Sequence, residues 1–90
     1  MNGQMVKDDF ENVFLEEEGC DFELVRDNAV VGIVRGLLDD TAIQCKAESD
    51  VRVGDALHSK LHNQSFLVEK VSFEVIGNVR TCLIAQVSEA

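Results

Sequence analysis

The spacing of apolar residues changes at residue 20. Before it, Phe10, Val13 and Phe14 recur at i, i+3 and i+4, which places them on one helical face, while Glu11, Glu16, Glu17 and Glu18 cover the rest. Asp8 with Glu11 three residues later has the form of a capping box. A helix is therefore predicted over residues 8–19, after a flexible lead of residues 1–7, with Gly19 as a left-handed C-cap. Three consecutive Glu in the last turn oppose the helix dipole, so a helix this short must pack on something to persist.

From Cys20 onward the period is two. Phe22 and Leu24 alternate with Asp21 and Glu23, Asp27-Asn28 is a turn pair, and residues 29–38 form a long apolar run. Gly32 and Gly36 inside that run predict a bulge, a bend or the close approach of another backbone. After the Asp39-Asp40 turn, Ile43, Cys45 and Ala47 face one way, opposite Gln44, Lys46 and Glu48. A polar connection closes at Gly54-Asp55, and Leu57, Ser59 and Leu61 then alternate with His58, Lys60 and His62 as a fourth strand. Residues 65–76 and 79–87 are the fifth and sixth, joined by a two-residue hairpin turn at Gly77-Asn78. One helix followed by about six strands with short turns predicts a mainly β domain over residues 8–90, a small antiparallel barrel or sandwich with the helix over one end or edge.

Composition narrows the classes of function. Ninety residues leave room for one domain, and a chain of this size has a thin core, which the 46% hydrophobic content must supply. The net charge of -9 repels phosphate backbones and anionic headgroups, so neither nucleic acid nor membrane is expected as a partner. An oligonucleotide-binding groove would also need stacking aromatics, and the chain has no Trp and no Tyr. The acid is uneven: residues 1–27 carry a net -7 and residues 28–90 a net -2. No stretch approaches the ~18 apolar residues of a membrane span, and no basic-then-apolar leader precedes the helix.

The residues able to do chemistry are scattered. Cys20, Cys45 and Cys82 are odd in number and have no metal-ligand spacing, so they are expected as buried thiols in a reducing cytoplasm. His58 and His62 share one face of the predicted fourth strand with Lys60 between them. As a metal site they would need a third ligand, Asp55 being nearest, but the alternation turns that face to solvent. Cys45 or Cys82 with a histidine would be a nucleophile pair, yet Cys45 falls on the inward face, where thiols are inert. Glu16-Glu17-Glu18 and Asp39-Asp40 lack the alternation of a calcium loop, and residues 32–36 are no phosphate loop. The expectation is no enzyme, no cofactor and no metal.

In its order of features the chain resembles the small head–tail joining, or attachment, proteins of tailed bacteriophages and prophages. The matching pieces are Asp9-Phe10-Glu11-Asn12-Val13-Phe14, Val31-Gly32-Ile33-Val34, Asp50-Val51-Arg52-Val53-Gly54-Asp55, and Ser65-Phe66-Leu67-Val68-Glu69-Lys70-Val71. The resemblance implies a β-barrel subunit that joins a ring at the neck or tail end, with other virion proteins or its own copies as partners, in the cytoplasm during assembly and then in the virion. On this reading Glu16, Glu17 and Glu18, with Asp39, Asp40 and Arg52 at neighbouring turns, are the expected contact positions for a basic partner surface. The alternatives are a cytoplasmic barrel that binds a peptide along a sheet edge and, third, a metal-dependent enzyme using His58 and His62.

Overall fold

Helix gives way to strand at Cys20 in the structure as well, a computed structural model that describes residues 2–90. Helix α1 (Gly3–Asp9), a π-helical turn (Phe10–Phe14) and α2 (Leu15–Glu18) run as one continuous helix. Six strands follow: β1 (Cys20–Arg26), β2 (Ala29–Asp39), β3 (Ala42–Cys45), β4 (Ala56–Ser59), β5 (Gln64–Ile76) and β6 (Val79–Glu89). They close into a barrel in the order β1-β2-β3-β6-β5-β4, with every pair antiparallel. Closure satisfies the strand edges internally, which a sheet this small cannot do if left open.

The alternation read from the sequence fills the barrel. Phe22 and Leu24 of β1, Ile43 and Cys45 of β3, Leu57 of β4, Phe66 and Val68 of β5, and Leu83 and Ala85 of β6 are buried together. Phe22 and Phe66 meet edge to face at 6.4 Å, a favoured aromatic geometry. Gly36 of β2 makes room for two core side chains: a Cβ there would lie 2.7 Å from Ile43 Cγ2 and 3.2 Å from the Phe22 ring. Two hairpin turns fall at the expected pairs, Asp27-Asn28 and Gly77-Asn78, while the turn expected at Asp39-Asp40 lies one residue later, at Asp40-Thr41, because Asp39 still pairs with Ala42. Asp27 and Asn28 both take positive φ, as a type I′ turn requires, and Gly77 takes it alone.

Several expectations need correcting. Residues 3–7 are helical, because the Asn2 side chain accepts the Met5 N–H at 2.8 Å and the helix begins there. Gly3 packs so closely on Ile76 and Val79 that a Cβ would stand 2.8 Å from Val79 Cβ. Asp8 and Glu11 therefore lie inside the helix and cap nothing. Gly19 is extended (φ -73°, ψ 165°), and glycine is needed there because a Cβ would sit 2.5 Å from the Leu15 carbonyl oxygen. β3 stops at Cys45 and leaves Ala47 in a turn. β4 stops at Ser59, so Leu61 lies in the following turn and is 76% exposed.

β5 and β6 are longer than the barrel wall. β4 pairs only with residues 64–67 of β5, and β3 only with residues 83–86 of β6. Beyond the wall, residues 74–76 of β5 and 79–82 of β6 continue as a two-stranded ribbon, and the molecule measures 40 × 24 × 23 Å. A bulge at Glu69 in the barrel wall and another at Thr81 in the ribbon add to the twist of this strand pair. Thr81 is buried at its bulge and donates its hydroxyl proton to Glu74 Oε1 at 2.8 Å.

Candidate functional site

The helix lies outside the barrel, on the face made by β2, β3 and β6. There Phe10 and Leu15 bury themselves on Cys82, Leu37 and Ile84, a small apolar cluster separate from the barrel interior. The i, i+3, i+4 pattern would turn Phe10, Val13 and Phe14 inward together, but only Phe10 goes in. The cause is the π turn, in which the Leu15 N–H bonds to the Phe10 carbonyl, five residues back. One extra residue per turn brings Leu15 to the inward position at 1% exposure and leaves Phe14 at the margin, 49% exposed.

That margin is one wall of a groove of about 470 Å³. Val6, Phe10 and Phe14 line it from the helix, and Leu37, Gln44 and Cys82 from the sheet. Asp9, Glu18 and Glu74 line it as well, and none has an ion-pair partner among the described residues. A second groove, of about 510 Å³, runs along the outer face of β1 between Ile33 and Leu61. Its charges are largely matched: Arg35 lies 3.2 Å from Asp21 and Lys60 3.7 Å from Glu23. Of the two, the groove beside the helix is the one with uncompensated charge.

The six expected contact residues do not form one site. Glu16, Glu17 and Glu18 end the helix, exposed, and only Glu18 reaches the groove. Asp39 ends β2, and Asp40, with φ +56°, opens the β2–β3 turn. Arg52 sits in the β3–β4 loop, where both its contacts to Asp50 stay local: Nε to Oδ1 at 2.9 Å and the second nitrogen to Oδ2 at 3.0 Å. Among the described residues no hydrogen bond or ion pair joins these three places.

Two arginines absent from the expected set hold the framework. Arg35 Nε donates to the Leu15 carbonyl at 2.7 Å, and its Nη2 donates to the carbonyls of Glu16 at 3.2 Å and Gly19 at 2.9 Å. A cation on the open carbonyls is the right partner for a helix C-terminus, and it offsets the unfavourable run of Glu there. Arg26 meets the buried Asp55 side on, Nε to Oδ1 at 2.9 Å and a terminal nitrogen to Oδ2 at 2.8 Å. Asp55 Oδ2 also accepts the Arg52 N–H at 2.9 Å. The Arg26 guanidinium, foremost, holds the Asp55 carboxyl below the usual carboxylate range. The Asp-Val-Arg-Val-Gly-Asp segment is thus a self-closed loop, with Gly54 at φ +94° and Val51 plugged into the barrel core. Lys7 ties the helix to the chain after β3, 2.9 Å from Glu11 and 2.8 Å from Glu48. Hydrogen bonding to Lys7 in turn lowers the Glu48 carboxyl.

The histidines and cysteines are kept apart. His58 Nδ1 lies 2.7 Å from Ser65 Oγ, while His62 is in the turn beyond β4, not on a shared strand face. Asp55, the nearest third ligand by sequence, is engaged with two arginines, and no group of three or more His, Cys, Asp or Glu is placed to hold a metal among the described residues. All three cysteines are free. Burial pushes the Cys45 thiol up to about 12 and also raises Cys82 and Cys20, although Cys20 is only partly buried. No helix is long and apolar enough to cross a membrane among the described residues. Comparison of the chain with family models, curated proteins and solved structures finds no match.

Proposed function

We propose that this chain is a structural assembly protein acting through protein–protein contacts, a head–tail connector or tail-completion adaptor of the phage or prophage kind its sequence resembles. The β5–β6 ribbon is the observation that carries the reading. Strands of ~5–6 residues suffice in most sheets, whereas β5 has 13 residues and β6 has 11. The surplus ends in an arm of residues 74–82, and residues 69–76 of β5 have no strand partner among the described residues on the side away from β6. A ring subunit can lay such an arm on its neighbour, while the exposed carboxylates at Glu16, Glu17, Asp39 and Asp40 orient encounter with a basic surface. Native mass spectrometry over a concentration series tests this. Self-association of a -9 chain is opposed at low salt, so samples are assembled at about 1 M salt, where the Debye length is ~3 Å, and exchanged immediately before measurement. Closed cyclic oligomers are expected; a strict monomer throughout, with no portal, capsid or tail gene beside its own, refutes the reading.

The same open edge favours a second reading, a module that adds a partner peptide as an extra strand. Its charged residues Lys70 and Glu74 and the bulge at Glu69 are devices that blunt unwanted pairing. Hydrogen exchange separates the two readings: strand addition protects residues 69–76 on peptide binding without forming a ring.

A further inference from the structure

The groove beside the helix combines three features that the fold does not require. Its apolar lining is incompletely covered: Phe14 is half-exposed and Val6 and Leu37 are partly so, beside buried Phe10 and Cys82. Phe14 is exposed because of a specific backbone feature: in an uninterrupted α-helix it would follow Phe10 at i+4 onto the sheet, and the π turn gives that place to Leu15. Single π turns inside α-helices are rare and concentrate at functional sites. Third, Asp9, Glu18 and Glu74 come from the middle of the helix, its end and the β5–β6 ribbon, and converge on the same groove with no ion-pair partner among the described residues.

We infer that this groove is a docking site for a protein segment bearing an apolar anchor side chain flanked by Lys or Arg. The anchor would lie against Phe14, Phe10 and Leu37, and the flanking cations would meet Asp9, Glu18 and Glu74. Charge decides among occupants. A second copy of the chain brings another -9, and a nucleic acid brings phosphates, so both are repelled by the same carboxylates that attract a basic segment. The inference rests on the adaptor reading in taking the occupant to be a protein. It moves the contact from Glu16 and Glu17, which lie outside the groove, to Glu18 and two acids that the sequence does not single out.

The test is a titration of the isotopically labelled full chain, followed by NMR, with two synthetic amphipathic peptides of equal length. One is built from leucine and lysine, the other from leucine and glutamate. The leucine–lysine peptide is expected to shift the amides of Phe10, Phe14, Leu37, Gln44 and Cys82, and the leucine–glutamate peptide to shift none. Phe14→Ala should weaken binding at least about tenfold, ~1.4 kcal/mol. The triple change D9N, E18Q, E74Q should weaken it by a similar factor and flatten its salt dependence. The pair E16Q, E17Q should stay within about twofold of the parent, since generic attraction to an acidic protein would respond to all of these alike. Phe14→Gln keeps the length of the side chain without its apolar ring, and serves as the second variant should Phe14→Ala loosen the helix. Binding that ignores Phe14, shifts centred elsewhere, equal response to both peptides, or a chain dimer abolished by Phe14→Ala each overturns the proposal. Cyclic oligomers that form normally in a chain whose groove fails to bind the leucine–lysine peptide would leave the adaptor reading standing while removing this one.

Discussion

Consider Asp55→Ala, which removes the carboxylate that locks the β3–β4 loop to the end of β1. The side chain is 3% exposed and accepts three hydrogen bonds, two from Arg26 and one from the Arg52 N–H. Removing one partner of a fully buried ion pair costs ~3–5 kcal/mol, mostly because the other charge is left uncompensated. Here the Arg26 side chain is 23% exposed and keeps the Asp50 carbonyl at 2.9 Å and its carboxylate at 3.5 Å. The expected cost is therefore lower, about 2–3 kcal/mol, a fall in Tm of roughly 10–20 °C for a domain of this size. Urea denaturation of Asp55→Ala, Arg26→Met and the double variant should give a coupling of ~1–3 kcal/mol.

The sign of the pH dependence follows from the same contacts. The folded Asp55 carboxyl stays ionised to lower pH than the unfolded one, chiefly through Arg26. Its contribution is thus fully present above the unfolded value near ~4 and is lost as pH falls through the folded value. The stability gap between the parent and Asp55→Asn should be constant from neutral pH down to about 5 and narrow below it. A cost under about 1 kcal/mol, or a gap that does not narrow in acid, would refute the view of this pair as a structural lock.

Leu15→Ala should cost about 2–4 kcal/mol in urea denaturation and Val13→Ala less than about 1, because the π turn buries the former and not the latter; equal costs would contradict the shifted phase. Arg35→Met should raise hydrogen exchange across residues 10–19 by removing the donor to three helix-terminal carbonyls, with barrel amides unchanged; protection retained at that helix end would mean the carbonyls are satisfied without it. In native protein an aromatic disulfide reagent should label Cys20 before Cys82 and leave Cys45 unmodified until unfolding, since burial pushes the Cys45 thiol up to about 12; early loss of Cys45 would place it outside the core.

The strands were legible because a barrel wall sorts side chains by a local rule. Ile43 with Cys45, Phe22 with Leu24, and Leu83 with Ala85 each fall on one face at spacing two, and the turn pairs between them are of types that tolerate positive φ. Sequence spacing failed where a distant contact decides. Arg26 and Asp55 are 29 positions apart and Arg35 and Leu15 are 20 apart, and no spacing rule pairs them. The helix starts earlier than the apolar spacing indicates because residues 3–7 are held by the Asn2 cap and by the ribbon, through Gly3 against Ile76 and Val79. Leu61 continued the alternation on paper, yet β4 ends at Ser59, whose hydroxyl accepts the His62 N–H as the chain turns away.

The groove left a trace that was readable in part. Phe14 and Leu15 are adjacent apolar residues competing for one inward position one turn after Phe10, and a regular helix favours Phe14. Which of them wins is set by the sheet beneath, where Leu37, Cys82 and Ile84 accept a branched aliphatic side chain in full. The helix adds nothing to the barrel interior, whose core is made of strand and loop residues alone. Its energy of attachment comes from the small outer cluster, from Arg35 at one end and from Gly3 on the ribbon at the other. Tied at both ends, the helix can hold an irregular middle turn that a free helix would anneal to regular α geometry. The exposed ring of Phe14 lies outside the barrel core, so a contact that draws on it need not disturb the barrel.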